Sequence, residues 1–216
     1  MASTIMMSNT TTAVRPQPEV KAQASGRIVG VLLAAGAGRR AGGPKALRVD
    51  PDGTSWLLRS IAVLRDGGCD EVIVVLGCQA ARAQDVLVKS TLVKDLVINV
   101  VEAQDWERGM GSSLRSGLLA ARSVLGRAVL VHLVDLPDVT AEVVRRLIQH
   151  APPGTASLAR ATYGGRPGHP VFIGRDHLES IMVGLTGDSG ARDYLAQHGA
   201  HSVECGDLAS GQDHDT

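Results

Sequence analysis

Hydrophobic positions along this chain follow two rhythms. Short, largely apolar runs at 28–33, 72–76 and 128–134 are of strand length and rich in valine and isoleucine, and 96–101 reads as a further strand. The first three suit strands covered on both faces inside a parallel sheet. Between them apolar residues recur every three or four positions. Leu57, Ile61 and Leu64 predict a helix over 55–65 that Gly67 and Gly68 stop, and 79–87 reads as a second helix. Leu114, Leu118, Ala121 and Leu125 mark a third, with Ser112 or Ser113 expected to cap its amino end. A fourth helix is expected over 140–149, and a further strand over 157–161. A glycine-rich hairpin follows at 163–170, backed by the strand of Val171, Phe172 and Ile173, and Asp188 opens a short helix as its plain N-cap reading. Strand and helix in alternation predict a right-handed parallel sheet, which gathers ligands beyond the carboxyl ends of its strands. His132 alternates inside its strand and reads as a packed core histidine.

This pattern fills 27–205, which is expected to be one domain. Residues 1–26 are rich in Ser, Thr, Ala and Pro, lack the apolar stretch of a signal peptide, and are expected to be a disordered tail. The polar end, 206–216, is expected to fray. Lys plus Arg and Asp plus Glu both total 22, so no overall charge draws the chain to nucleic acid or membrane. The apolar runs are too short to span a bilayer. Cys69, Cys78 and Cys205 lie far apart with no C-x-x-C pair, which suits reduced thiols in a cytoplasm. Aromatic residues make up 2%, so a nucleotide base is expected to rest on backbone and small polar groups.

Candidate chemistry begins where the first strand ends. Leu33, Ala34 and Ala35 lead into a loop holding Gly36, Ala37, Gly38, Gly42 and Gly43, with Arg39, Arg40 and Lys45 as cations. Glycines let backbone N–H groups approach a ligand, and three cations suit a polyphosphate. The alternative is an ordinary solvated loop. Gly36-x-Gly38-x-x-Ala41 fits the dinucleotide fingerprint, but Gly42, Gly43 and Pro44 break the helix it requires, and the second strand ends in Gly77 and Cys78 rather than an acid. A P-loop is excluded because Pro44 separates Gly43 from Lys45 and Ala46 follows. Gly111, Ser112 and Ser113 are expected near the same sheet edge, facing the glycine loop. Asp135 leaves the fourth strand there, and a carboxylate so placed can hold Mg²⁺ against phosphates. The alternative is a turn aspartate, which better fits Asp138. Asp188 is either a cap or a second metal carboxylate.

These residues carry a resemblance. Leu33-Ala34-Ala35-Gly36-x-Gly38-x-Arg40-x-Gly42-x-x-Lys45, Trp106-x-x-Gly109-Met110-x-Ser112-Ser113-Leu114, Asp135-x-Pro137, Gly168-His169-Pro170 and Gly187-Asp188-x-Gly190-Ala191-Arg192 occur in this order. Together they resemble the molybdenum cofactor cytidylyltransferase branch of the MobA-like nucleotidyltransferases, over about 27–205. The resemblance implies an α/β, three-layer Rossmann-like nucleotidyltransferase fold with a mostly parallel central sheet. It implies Mg²⁺-dependent transfer of CMP from CTP to the terminal phosphate of molybdopterin-bound molybdenum, with release of pyrophosphate, and a client molybdoenzyme as possible partner. Lys45, Arg40 and Asp135 would be catalytic, with no histidine base. The nucleotide would lie against Leu33 to Arg40, Lys45, Gly77, Gly111, Ser112 and Ser113. Asp135 and Asp188 would hold the metal, and Gly168, His169 and Pro170 would face the acceptor. Relatives that transfer GMP tend to have Ala-Gly-Gly where this chain has Ala34-Ala35-Gly36, so Ala35 favours CTP. Two positions depart from the pattern: Gly38 stands where relatives often have serine, and Ala41 where methionine is usual. Rival readings are a guanylyltransferase or other NTP transferase of the same fold, a non-catalytic carrier of nucleotide or molybdenum cofactor, and a dinucleotide-dependent oxidoreductase, which Gly77 and Pro44 disfavour.

Overall fold

The computed structural model describes residues 26–39, 42–91, 96–124, 126–185, 187 and 190–214. Arg40 and Asp188, and with them Ala41 and Leu125, lie outside the described residues.

The apolar run at the start becomes strand β1, Ile28–Ala34, buried along its whole length. Its side chains alternate between two cores. Ile28, Leu32 and Ala34 join one, while Val29, Val31 and Leu33 join the other, as the two-residue period of a strand requires. Strands β2 (Glu71–Leu76), β3 (Val97–Glu102) and β4 (Ala128–Leu133) follow. Then come β5 (Leu158–Tyr163), β6 (Arg166–Gly174) and β7 (His201–Glu204). They form one seven-stranded sheet in the order β3-β2-β1-β4-β6-β5-β7. Strands β1 to β4 pair in parallel, β6 runs antiparallel to both β4 and β5, and β7 is parallel to β5. The mostly parallel α/β sheet expected from the sequence is the observed one.

Helices α1 (Trp56–Gly67), α2 (Ala80–Lys89) and α4 (Ala141–His150) bury Leu57, Ile61, Leu64, Ala83, Val143 and Leu147 in the first core. Helices α3 (Met110–Arg122), α5 (Leu178–Gly184) and α6 (Arg192–Gln197) bury Leu114, Leu118, Ile181 and Leu195 in the second. The sheet is thus the middle of three layers. Ser55 caps α1, its side chain accepting from the Leu58 N–H, and Gly68 closes the helix in the left-handed region.

Local expectations are corrected at several points. Helix α3 starts at Met110 with Gly109 as its cap, so Ser112 and Ser113 lie inside its first turn and cap nothing. Helix α6 starts at Arg192 with Ala191 before it. The end expected to fray is held over 206–214. Leu208 and Ala209 pack on the first core. The backbone N–H and hydroxyl of Ser210 donate to Asp138 at 2.5 and 2.6 Å, and the His214 N–H donates to the Asp135 carbonyl at 3.0 Å. Two apolar side chains and a waiting carboxylate outweigh the polar composition that suggested fraying.

His132 is the buried core histidine expected, at 0% exposure, with no hydrogen-bond partner on either ring nitrogen. Burial first, then His169 and Arg59, hold its pKa down at about 3 against an ordinary 6.5. The folded protein therefore keeps this ring neutral while the unfolded chain takes up a proton. Stability is fully present above pH 6.5 and is lost as pH falls toward 3. Melting temperature should decline across that window, and His132→Leu should flatten the decline; thermal melts at stepped pH check this.

Gly117 brings α3 against the sheet. A Cβ there would stand 2.6 Å from Val31 Cγ1 and 2.9 Å from Val75 Cγ2. Gly117→Val should overpack this contact and destabilise the protein by about 2–3 kcal/mol, measured by urea unfolding.

Candidate functional site

Parallel pairing decides where the chemistry collects. Strand β1 sits between β2 and β4, with Leu33 opposite both Val75 and Leu133. Three strand ends therefore finish level, and the Val134 N–H donates to the Leu33 carbonyl at 3.2 Å just beyond them. A cleft of about 620 Å³ opens at this edge. Its floor is the segment from Leu33 to Arg39, with Lys45 and Asp135 beside it.

Lys45 Nζ donates to Asp135 Oδ2 at 2.5 Å, and both side chains are about 15% exposed (15% and 14%). This pair joins the glycine loop to the end of β4. Lys45 opens a single 3-10 turn, Lys45–Leu47, and the next residue, Ala46, is buried in the first core. Pro44 before it supplies an extended entry, not a helix, as the breaker residues indicated. A largely buried cation and carboxylate held together at the side of an open cleft suit a ligand that carries both phosphate and a divalent cation. Each partner can then exchange the other for the matching charge on the ligand.

Two glycines in the loop have different reasons. Gly38 has φ +55°, accepts a hydrogen bond from the Gly43 N–H at 3.1 Å, and would place a Cβ 2.0 Å from the Gly43 carbonyl oxygen. This is the position where relatives often have serine. Here the close return of Gly43 leaves no room for one. Gly36 meets nothing within 4 Å and lies at the cleft surface. The fold itself does not require Gly36, and the space over it is open to the cleft.

Helix α3 turns its amino end to the cleft, which Gly109, Met110 and Ser113 line. The positive end of a helix favours an anion there. Ser113 is buried and faces the cleft, whereas Ser112 and Gly111 do not line it. The Gly111 N–H is instead bonded to the Gly187 carbonyl at 2.9 Å, and Arg115 donates to the Leu185 carbonyl at 3.0 Å, so Leu185 and Gly187 are each tied to α3. Gly77 does not line the cleft either. A Cβ on it would stand 2.6 Å from Trp106 Cγ, so Gly77 is the bed on which Trp106 lies.

Trp106 and Glu107 line the cleft and were not among the expected site residues. Trp106 is half-buried against the second core. Aromatic residues make up only 2% of the chain, and one of its two tryptophans stands in the lining of this cleft. Its place in the motif Trp106-x-x-Gly109 was the available signal.

The acceptor-side residues divide. His169 lines a second, smaller pocket that meets the main cleft at Leu33 and Met110. Burial and the neighbouring Arg160 push its pKa down to about 4, against the opposing pull of Asp135, so this ring is neutral at neutral pH. Gly168 packs on Tyr163, whose hydroxyl donates to the His169 carbonyl at 2.6 Å, and Pro170 is buried. The hairpin tip is fixed to β7, because the Glu204 carboxylate accepts the N–H groups of Gly164 and Gly165 at 2.8 and 3.0 Å. Cys69, Cys78 and Cys205 are free thiols. Among the described residues no helix is long and apolar enough to cross a membrane, and no cluster of three or more metal-ligating side chains occurs.

Residues 30–203 match the MobA-like NTP transferase domain. Nicotine blue oxidoreductase of Paenarthrobacter nicotinovorans is 36% identical over 197 residues, covering 88% of this chain and 92% of that protein. A homologue of Mycobacterium tuberculosis Rv0371c from Mycobacterium sp. strain JC1 is 31% identical, with a TM-score of 0.69 over 88% of this chain and 91% of that one. Rv0371c of M. tuberculosis H37Rv, solved in complex with manganese, is 26% identical with a TM-score of 0.60, over 83% and 87% of the two chains.

The two loop glycines should separate experimentally. Gly36→Val should keep its melting temperature within a few degrees yet lose nucleotide affinity at least tenfold. Gly38→Ser should lower the melting temperature as well. Calorimetric titration with nucleotide alongside thermal melts distinguishes them.

Proposed function

The chain belongs to the MobA-like NTP transferase domain family, and from that premise we propose that it transfers CMP from CTP to the terminal phosphate of molybdopterin-bound molybdenum, releasing pyrophosphate. The observation that carries this reading is the meeting of the glycine loop, Lys45 and Asp135 in one cleft. The acceptor's terminal phosphate has its second pKa near ~6, so at neutral pH it is already mostly ionised and needs no base. One of its oxygens bonds to the α-phosphorus of CTP. The bond from that phosphorus to the α–β bridging oxygen breaks, and pyrophosphate leaves with the electron pair.

The work left to the protein is electrostatic. Lys45 and Arg39 neutralise the triphosphate, the amino end of α3 offers a partial positive charge, and the loop backbone fixes the phosphates for in-line attack. Arg40, on the same loop, is assigned to this set on the motif, and Asp188 to the metal on the same ground. Asp135 fits a hard divalent cation, because Mg²⁺ takes one or two carboxylates and fills its remaining positions with water and phosphate oxygens. Bound there, the ion would supply charge neutralisation to the departing pyrophosphate. The manganese complex of Rv0371c supports a divalent ion in this family. CTP rests on Ala35, and Trp106 offers the base or ribose a flat apolar surface.

A second reading has its own support. The relative at 36% identity is named as an oxidoreductase, so the same cleft could hold a dinucleotide and pass electrons. The break at Pro44 and the absence of an acid after β2 remain unfavourable to it.

Pyrophosphate release should occur with Mg²⁺, the molybdopterin acceptor and CTP, and not with GTP, UTP or ATP. Lys45→Ala should lower turnover by about 10²-fold or more while the melting temperature changes little, since Asp135 opens onto the cleft and rehydrates. Release with GTP alone would move the assignment to guanylyl transfer. Near-normal turnover in Lys45→Ala would remove the mechanism. Oxidation of a reduced nicotinamide, followed by absorbance, would favour the second reading.

A further inference from the structure

Beside the main cleft lies a pocket of about 70 Å³. A water molecule's share of liquid volume is about 30 Å³, so this space suits a compact group and not a nucleoside. Its walls are mostly aliphatic, but Arg160, His169 and Arg192 also line it. Arg160 comes from β5 and Arg192 opens α6, so the fold brings these two cations together from distant parts of the sequence.

The arrangement is costly without a ligand. Arg160 Nε is buried with no hydrogen-bond partner, and among the described residues Arg160 forms no ion pair. Arg192, largely exposed, is bound only loosely to its neighbour Asp193 at 3.5 Å. Burial and the like charge of Arg192 both push the Arg160 pKa down. Two guanidinium groups converging on an aliphatic hole are repelled until an anion enters, and guanidinium geometry matches phosphate oxygens. His169, neutral at neutral pH, adds a ring nitrogen without adding repulsion.

We propose that Arg160 and Arg192 form a second anion subsite, distinct from the nucleotide's, that takes the terminal phosphate monoester of the acceptor. This rests on the transferase reading above. The pocket shares Leu33 and Met110 with the nucleotide cleft, so a phosphate held there lies alongside the bound triphosphate. Each anion then has its own cations: Lys45 and Arg39 for the nucleotide, Arg160 and Arg192 for the acceptor. That division answers the main difficulty of the reaction, which is bringing two negatively charged groups together.

The test combines binding with kinetics. Inorganic phosphate is titrated into the full chain while the His169 ring-proton signals are followed by NMR, assigned by their loss in His169→Gln. Wild type should show a saturable shift that Arg160→Gln abolishes and Arg192→Gln weakens about tenfold. In turnover with CTP, Arg160→Gln should raise the acceptor KM at least tenfold and leave the CTP KM within twofold. Arg192→Gln, at an exposed position, keeps the test open if Arg160→Gln misfolds. Unmoved His169 signals in wild type, or acceptor and CTP constants that shift together, would overturn the subsite. A phosphate shift that Arg160→Gln removes, in a protein giving no pyrophosphate with any nucleotide, would retain the anion subsite and reject the transferase reading.

Discussion

The alignment of β1 with β4 governs this molecule. Their parallel register sets Leu33 opposite Leu133, so the glycine loop and Asp135 leave the sheet at the same height. Lys45 can then span from the loop to Asp135 at 2.5 Å. A shift of one residue in that register would turn every β4 side chain to the other face. Leu130 and Val131 would exchange cores, and Asp135 would point away from the loop. The apolar fit of the strands on both faces therefore fixes the geometry of the charges at their ends.

Charge is kept to one edge of an otherwise apolar sheet. The one histidine inside β4 is held neutral by burial, and at the carboxyl edge cations gather with few carboxylates. Lys45 has Asp135, while Arg160 has no ion-pair partner among the described residues. The main cleft and the smaller pocket thus differ: among the described residues the cation of one is paired across the cleft with Asp135, while in the other Arg160 has no such partner and Arg192 has only its neighbour Asp193 at 3.5 Å. Small residues make both possible. Gly77 lets Trp106 pack close against the strand end, and Gly117 lets α3 approach β1 and β2, which in turn brings the amino end of α3 to the cleft.

Much of this was legible in the chain. The uninterrupted runs in β1 and β2 could bury only on two sides, and Leu114, Leu118 and Ala121 could bury only as one helical stripe. Both patterns depend on the local period of the backbone, which each segment carries in itself. The loop was legible for a related reason, since Gly38 and Pro44 impose their backbone demands wherever they stand. Less local features were misread. Gly77 looked like part of the nucleotide surface, and only the position of Trp106 above it shows a packing role. Ser112 and Ser113 looked like caps, but where a helix starts depends on what receives its first N–H groups, and Gly187 receives that of Gly111. The polar end beyond Leu208 looked loose because the carboxylate that holds it, Asp138, is distant in sequence.

By itself the sequence determined the element types, the parallel sheet and the loop that ends β1, because these follow from short-range periodicity and from residues with fixed backbone preferences. The tertiary structure alone decided which charges meet. Lys45 and Asp135 are 90 positions apart, and Arg160 and Arg192 arrive from separate elements. Nothing within either segment encodes the other's position. Strand register and helix packing set those encounters, since a distance of a few ångströms between side chains is the sum of every contact that places their backbones.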